Sequence, residues 1–502
     1  MKTIILGPPG TGKTTTLLDL VDEFIQQGIR PKQIGYFSFT KKAATEAATR
    51  AAEKFGLDID NDLSNFRTLH SLAFRNLGMT KERMMKIEDY KEFGQKCGIP
   101  IKTARYSIED GTFNSDNEYL TIINTARVKR VDLMEYYDSR QNILDIERST
   151  LFLLAEELER FKKEKNLKDF TDLLEDFIKK DIPSSFEVLF IDEAQDLSLL
   201  QWEMVRHLWK YAKKTYIAGD DDQAIFKWAG ADVDHFIALK EEVNNIEVLQ
   251  QSYRIPGGPI HELSQKIINK VQNRFEKEYK PRDEIGLLKR YSDITQVDMS
   301  KGNWLVLSSA NYFLDDAKDL CEIQGWYYQY KGINSVPLKL LLALNNWESW
   351  RKGEFLNHLE IKNIYQYLGS NVSVGYQKGK TLHSDAKYTL KECQEQHGLT
   401  ISEVWYKSFN GLDPMTETYI RNMRANGEMI NKNPRITMST IHAAKGGEAD
   451  NVLLLQDLTG AALETFSYDP DELHRLFYTG ATRAKRELHL LDPKNFDRAY
   501  II

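Results

Sequence analysis

A chain of 502 residues is long enough for three or four domains of about 100–200 residues each, and its 41% hydrophobic and 28% charged content is that of a globular protein, not a disordered or fibrous one. A formal net charge of −7 excludes a generally basic nucleic-acid coat but leaves room for a local groove of stacking rings, backbone amides and a few cations. Cys97, Cys321 and Cys393 are too far apart for a disulfide framework or a zinc site, which points to a reducing compartment, and no apolar run approaches a membrane span.

The first predicted element is an apolar strand over residues 3–6. It stops abruptly at Gly7-Pro8-Pro9-Gly10-Thr11-Gly12-Lys13-Thr14, followed by Thr15. A glycine, four variable residues and then Gly-Lys-Thr form the phosphate-binding loop pattern, in which backbone N–H groups turn inward around phosphate oxygens. Lys13 is expected to reach the terminal phosphates and the Thr14 hydroxyl to hold Mg²⁺. A helix predicted over 14–27 aims its N-terminus at the anion. A pattern that begins at residue 7 is expected to leave no room for a signal peptide.

Residues 33–39 read as a second strand, ending in Thr40-Lys41-Lys42-Ala43-Ala44 and an alanine-rich helix to Lys54; Thr68-Leu69-His70-Ser71 follows. From residue 79 to about 168 the pattern is helical and charged, with 147–165 a long amphipathic helix whose Lys162, Lys163 and Lys165 could touch phosphates but read first as a solvated face. Residues 186–191 form a buried-strand pattern leading to Asp192-Glu193-Ala194-Gln195-Asp196. Another strand over 215–218 leads to Gly219-Asp220-Asp221-Asp222-Gln223. Strands alternating with helices, with acids at strand ends, predict a parallel α/β sheet with its site at the strand C-termini. A second α/β region is expected from about Val233, with strands over 246–250, 304–308, 435–440, 451–455 and 488–491. It is interrupted from 335 to 433 by a helical stretch whose Trp347, Trp350 and Trp405 read as core.

Asp192 at a strand end can hold Mg²⁺ and Glu193 beside it can polarise an attacking water, so with the phosphate loop the favoured reaction is nucleoside triphosphate hydrolysis. Alone, this acidic pair has helix capping as its lesser alternative, which the phosphate loop makes weaker still. Gln223 is placed to sense the γ-phosphate. Arg254 and Arg483 are the candidate cations for the charge that develops on it, and Tyr253 is placed to stack on the base. Trp228, just past Gln223, is suited to stacking on a nucleic-acid base, with core packing as its plainer role. His70 and His442 have no metal-ligand spacing and suit hydrogen bonding to phosphate or nucleotide.

These segments together resemble the UvrD/Rep-like helicases of superfamily 1. The phosphate loop resembles motif I, 39–44 motif Ia, 68–71 motif Ib, 169–174 the segment before motif II and 192–196 (DEAQD) motif II. Residues 219–231 (GDDDQAIFKWAGA) resemble motif III, 249–254 (LQQSYR) motif IV, 437–448 (TMSTIHAAKGGE) motif V and 476–484 (LFYTGATRA) motif VI. The resemblance implies an α/β chain with two RecA-like P-loop motor domains and ATP between them. The first would comprise 1–78 and 169–232 with a helical insertion at 79–168, the second 233–334 and 434–502 with an insertion at 335–433.

It further implies that Lys13, Thr14, Asp192, Glu193 and Gln223 come from one motor domain, and that Arg254 and Arg483 of the other clamp the γ-phosphate. Tyr253 would stack on adenine and Glu448 contact the sugar. Thr40, Lys41, His70, Phe226, Trp228 and His442 would line or adjoin the DNA track. The implied activity is Mg²⁺-ATP hydrolysis coupled to 3′→5′ movement on single-stranded DNA and to duplex separation, in a bacterial or phage-infected cytoplasm, with replication or repair proteins as partners and no membrane. Three departures stand out: no glutamine motif precedes the phosphate loop, which leaves adenine specificity open; Ala229 replaces the family arginine after Trp228; and both insertions are short. The second and third keep open a translocase that strips proteins from single strands and unwinds only with a partner; a nucleotide-switched binding module is disfavoured by the full hydrolytic set.

Overall fold

The computed structural model describes residues 1–107, 112–140, 146–369, 382–428 and 433–502; parts of both expected insertions lie outside the described residues. The chain forms two compact units. Residues Met1–Ile285 and Glu464–Thr482 make the first, and Gly286–Leu463 with Arg483–Ile502 the second.

The first unit is built on six parallel strands in the order Phe66–Arg67, Ile34–Ser38, Val188–Asp192, Lys214–Gly219, Lys2–Leu6, Asn245–Val248. The inner strands are short apolar runs buried along nearly their whole length, as a sheet covered on both faces requires. Helix Lys13–Gln26 lays Leu17, Leu18, Val21 and Phe24 on a core that includes Ile34, Tyr36, Val188 and Phe190. Helix Lys41–Phe55 buries Ala44, Ala47, Ala48 and Ala51 and stops at Gly56, whose φ of 65° forms a left-handed cap.

The sequence places 233–285 in the second α/β region, but the structure groups this segment with the first unit. The reason is strand pairing: Asn245–Val248 adds to the free side of Lys2–Leu6, with Thr3 opposite Asn245 and Leu6 opposite Val248. The chain thus leaves Lys2–Leu6 in one direction and returns on its other side. Its C-terminal end therefore lies where the strand order reverses, the position at which open α/β sheets bind ligands.

The described part of the first insertion contains helices Ile87–Cys97, Glu118–Val128, Leu133–Asp138 and Arg148–Glu164 and an antiparallel pair, Ala104–Ser107 with Thr112–Ser115. Phe93, Leu120, Leu151 and Phe161 belong to its own core. Lys162 does not lie on a solvated face. Its side chain is only 3% exposed, with Nζ donating to Asp169 Oδ2 and Asp172 Oδ1, each at 2.9 Å. Arg127 holds the same two carboxylates at 2.8 and 2.6 Å.

The second unit carries a seven-stranded sheet, ordered Leu287–Tyr291, Ala484–Leu491, Ala449–Leu455, Trp304–Ser308, Ile436–Thr440, Tyr328–Tyr330, Ile333–Asn334. It is parallel except at the final two-strand hairpin. Its core runs from Val306 and Met438 into the insertion, where Trp347, Trp350 and Trp405 are buried as the sequence predicts. Two mainly parallel α/β sheets in one chain are the architecture expected of RecA-like motor domains.

Candidate nucleotide and nucleic-acid site

The loop after Lys2–Leu6 has the tight geometry its glycines predict. Gly7 N–H donates to Gly219 O at 3.0 Å, and Lys13 folds back so that Nζ donates to Gly7 O at 2.8 Å. A Cβ on Gly7 would lie 1.8 Å from Lys13 Cγ, so no other residue lets the lysine stem pass. Gly10 adopts φ +73°, and a Cβ there would lie 2.3 Å from Arg254 Cβ. Gly12 precedes helix Lys13–Gln26 in a left-handed conformation. The Thr11 hydroxyl closes the loop onto Pro8 O at 2.8 Å, and Arg50 Nη2 donates to Thr15 Oγ1 at 2.7 Å.

Asp192 ends its strand with a side chain that meets three partners. Oδ2 accepts from Tyr36 OH at 2.7 Å and from Thr14 Oγ1 at 3.2 Å, and Oδ1 accepts from Glu193 N–H at 2.9 Å. Burial, and then the neighbouring Glu193 carboxylate, raise the Asp192 carboxyl to about 6 against the opposing pull of Tyr36 and Lys13. A buried carboxylate under that penalty, beside a threonine hydroxyl, fits a hard divalent cation that keeps several water or phosphate oxygens as its other ligands. Among the described residues no group of three or more His, Cys, Asp or Glu side chains could hold a metal.

Glu193 sits at φ 52°, ψ 41°, a left-handed conformation that costs a non-glycine residue about 1–3 kcal/mol. The carboxylate is held by Gln195, which sequence reasoning missed. Its Nε2 donates to Glu193 Oε2 at 2.7 Å, while its Oε1 accepts from Asp220 N–H at 3.0 Å. Asp220 Oδ2 in turn accepts from Gln223 Nε2 at 2.6 Å. A continuous chain, buried except at Glu193, therefore joins the candidate water-activating carboxylate to the candidate γ-phosphate sensor. Gly219 permits it, since a Cβ there would lie 2.8 Å from Gln195 Oε1.

The turn after Gly219 contains a second feature the sequence did not disclose. Asp220, Asp221 and Asp222 are all buried, and Lys277 Nζ reaches them at 3.3, 2.5 and 2.9 Å. Arg274 grips Asp222 through two parallel bonds of 2.8 and 2.6 Å, and Arg475 Nε donates to Asp221 O at 2.9 Å. The three partners are distant in sequence, and only their cationic character hints at the role.

Ser252, Tyr253 and Arg254 dock against the phosphate loop within the first unit. The buried Ser252 hydroxyl donates to Pro9 O at 2.7 Å, and Tyr253 N–H donates to Gly10 O at 2.8 Å. This leaves the Tyr253 ring 71% exposed beside the loop. Tyr253 and Arg254 therefore belong to the compact unit that carries Lys13, and not to the other motor domain, as the resemblance implied. Their position follows from strand Asn245–Val248, which delivers 251–254 to the loop. Ser252 is a further residue that the sequence reading passed over. Arg483, Glu448 and His442 lie in the second unit. There Arg483 is buried and donates from Nη1 to Gly447 O at 3.4 Å, and Glu448 Oε1 pairs with Lys485 Nζ at 3.1 Å.

Of the remaining candidates, Thr40 caps helix Lys41–Phe55 through Ala43 N–H at 3.2 Å. Phe39, Lys41 and His70 line a groove of about 600 Å³ that also takes in Phe66, Phe74, Tyr106 and Phe170. The Phe39 and Phe226 rings are 5.6 Å apart and those of Phe226 and Trp228 6.2 Å, with Trp228 48% exposed. A row of aromatic faces edged by Lys41, Arg67, Lys81 and Lys86 suits a single strand whose bases stack and whose phosphates meet cations.

His70 is buried between these rings, with Nδ1 3.2 Å from Tyr106 OH. Burial lowers its pKa to about 4, against a smaller upward pull from Asp169. The folded state thus refuses a proton that an unfolded histidine accepts below its ordinary 6.5, so stability is lost as pH falls from 6.5 toward 4. His70→Gln is expected to lessen that acid sensitivity, measured as the difference in urea midpoint across the same window; an unchanged difference would show that His70 titrates normally.

Comparison with known proteins gives matches over both sheets. Residues 1–244 match the family described as UvrD/REP helicase N-terminal domain, and residues 435–491 the UvrD-like helicase C-terminal domain. The chain is 25% identical over 389 residues to ATP-dependent DNA helicase Rep of Buchnera aphidicola subsp. Baizongia pistaciae (strain Bp), covering 73% of this chain and 55% of that protein. It is 26% identical over 271 residues to a probable DNA helicase II homolog of Mycoplasma pneumoniae, covering 50% of this chain and 38% of that one. With DNA helicase II of Rickettsia typhi it shares 24% identity over 601 residues, 97% of this chain and 89% of that protein. The chain thus spans about half the length, or less, of the first two of these relatives.

Proposed function

We propose that this chain, which belongs to the UvrD/REP helicase family, is an ATP-dependent DNA helicase that moves 3′→5′ on single-stranded DNA and separates the duplex ahead of it. The observation that carries the reading is convergence: Lys13, Thr14, Asp192, Glu193, Gln223 and the 252–254 segment all follow C-terminal ends of strands in one parallel sheet, with Thr14 and Asp192 already 3.2 Å apart. The names of the relatives supply the nucleic acid: they are DNA helicases.

In this reading Lys13 exchanges its bond to Gly7 O for the terminal phosphates of ATP. Glu193 accepts the proton of the attacking water and Gln223 reports the γ-phosphate. Arg254 and Arg483 neutralise charge on the transferring group. Tyr253 offers its exposed ring to the base and Glu448 binds near the sugar. Thr14 and Asp192 would hold Mg²⁺, which would offset the charge of the phosphates. Lys41, His70, Phe226, Trp228 and His442 form or adjoin the track for the strand, and Thr40 sets the start of the helix that carries Lys41. Each sheet serves as a motor domain, with 79–168 and 335–433 as insertions. The setting is a bacterial or phage-infected cytoplasm, with replication or repair proteins as partners; among the described residues no helix is long and apolar enough to cross a membrane.

The test is ATP-dependent strand displacement on duplexes with a 3′ tail, a 5′ tail or no tail, with Lys13→Ala as the control. Unwinding of the 3′-tailed duplex alone, lost in Lys13→Ala, is the expected result. Unwinding from the 5′ tail would reverse the polarity. DNA-stimulated hydrolysis without unwinding would favour a translocase that needs a partner.

A further inference from the structure

We propose that Lys227 and Asp469 form the link through which a strand stacked on the exposed Trp228, whose ring lies 6.2 Å from that of the buried Phe226, repositions the helix that leads to Arg483; the inference rests on the helicase reading above. Lys227 stands between the two aromatic residues in a tight turn, 227–229, that allows little independent motion. Ala229 N–H and Ala231 N–H both donate to Phe226 O, at 2.9 and 3.2 Å. The turn ends at Gly230, whose φ of +101° and approach to Val128 Cγ2 exclude a side chain. A displacement of either ring is therefore passed to Lys227.

The Lys227 ammonium is ion-paired with the Asp469 carboxylate, the residue that precedes helix Pro470–Ala481. Side-chain exposures of 39% and 21% leave the pair only partly screened by solvent. Burial disfavours the charged lysine, but Asp469, with Asp234 and Glu472 behind it, more than offsets this and holds the ammonium protonated. The same helix has further anchors in the first unit: Asp471 accepts from Gln272 N–H at 3.1 Å, and Arg475 Nε donates to Asp221 O at 2.9 Å, on the turn that ends in Gln223. One short helix is therefore tied to the aromatic turn at its start and to the sensor turn in its middle. Two residues beyond its end, at Ala481, comes Arg483. Lys227 and Asp469 touch no reacting atom in this reading; they are positioning residues. Coupling carried by such a contiguous chain is reciprocal for binding: DNA that tightens nucleotide must itself be tightened by nucleotide to the same degree.

The experiment is a charge-reversal cycle, Lys227→Asp, Asp469→Lys and the double variant. It reads DNA-free and DNA-stimulated ATP turnover, and single-strand affinity with and without a non-hydrolysable ATP analogue. Each single variant is expected to keep DNA-free turnover and nucleotide-free DNA affinity, and to lose about three- to tenfold of both the DNA stimulation and the analogue-induced gain in DNA affinity. The double variant is expected to recover both. If reversal unfolds the chain, the neutral pair Lys227→Met and Asp469→Asn tests the same loss. Unchanged coupling in the single variants would overturn the link, as would a fall in nucleotide-free DNA affinity that accounts for the whole effect, which would make Lys227 a phosphate contact. Failure of the double variant to recover coupling would also overturn it. Absence of any DNA stimulation in the unaltered protein would instead overturn the helicase reading on which the link depends.

Discussion

Replacing Glu193 by glutamine is expected to lower DNA-stimulated ATP turnover by about 10²–10⁴-fold, the usual contribution of a positioned general base, while nucleotide affinity changes by no more than a few fold. The substitution keeps the shape of the side chain and an oxygen to accept the 2.7 Å bond from Gln195 Nε2, so the strained turn at φ 52° has no reason to relax. What it removes is the basic oxygen. Phosphate release at saturating ATP and single-stranded DNA, set beside titration of a fluorescent nucleotide, separates the two effects. A loss below tenfold would mean that another group activates the water. Gln195→Ala, by contrast, keeps the carboxylate but frees it. That variant is expected to lose less turnover than Glu193→Gln, because the base survives in a less favourable position.

The parts of this site legible in the sequence are those whose chemistry lies in contiguous residues. An apolar run that ends in Gly7–Thr14, and two more that end in Asp192-Glu193 and Asp220–Gln223, each contain both the strand and the reason for stopping it. Parallel strands then bring those ends to one edge without further information. The parts that were not legible depend on partners far along the chain. Lys277 is one of several cations in a charged stretch until the fold sets it against three carboxylates. Lys162 fits a solvated helix face by periodicity, and only the return of Asp169 and Asp172 explains its burial. Asn245–Val248 alternates polar and apolar residues yet leaves three of the four exposed, so nothing local says which sheet it joins. Its pairing with Lys2–Leu6 nonetheless decides which unit carries Tyr253 and Arg254.

Lys277→Met is expected to destabilise the folded chain by about 3–5 kcal/mol, the range found when one partner of a buried ion pair is removed and the other is left uncompensated. The lysine side chain is 1% exposed and the three aspartates 0–2%. Without it, Arg274 still grips Asp222, but Asp221 retains the Phe275 N–H and Asp220 the Gln223 amide, with no other side-chain cation among the described residues within salt-bridge distance of either. The pH dependence distinguishes this from a packing loss. In the intact cluster burial raises the Asp221 carboxyl to about 6, Lys277 opposing and the adjacent Asp222 and Asp220 adding to the rise. A carboxyl raised in this way binds a proton in the folded state that the unfolded chain has released. Its contribution to stability is therefore present at low pH and lost as pH rises through the folded value. Loss of Lys277 drives the carboxyl higher still. The deficit of Lys277→Met relative to the unaltered protein is thus expected to be larger near pH 7.5 than near pH 5, measured by urea unfolding of both proteins at each pH. Equal deficits would show that volume, not charge, is what Lys277 contributes. Because Asp220 holds Gln223 Nε2 at 2.6 Å, the same variant also loosens the candidate sensor. Arg274→Gln leaves Lys277 on all three carboxylates, so it is expected to cost less stability and to disturb Gln223 less.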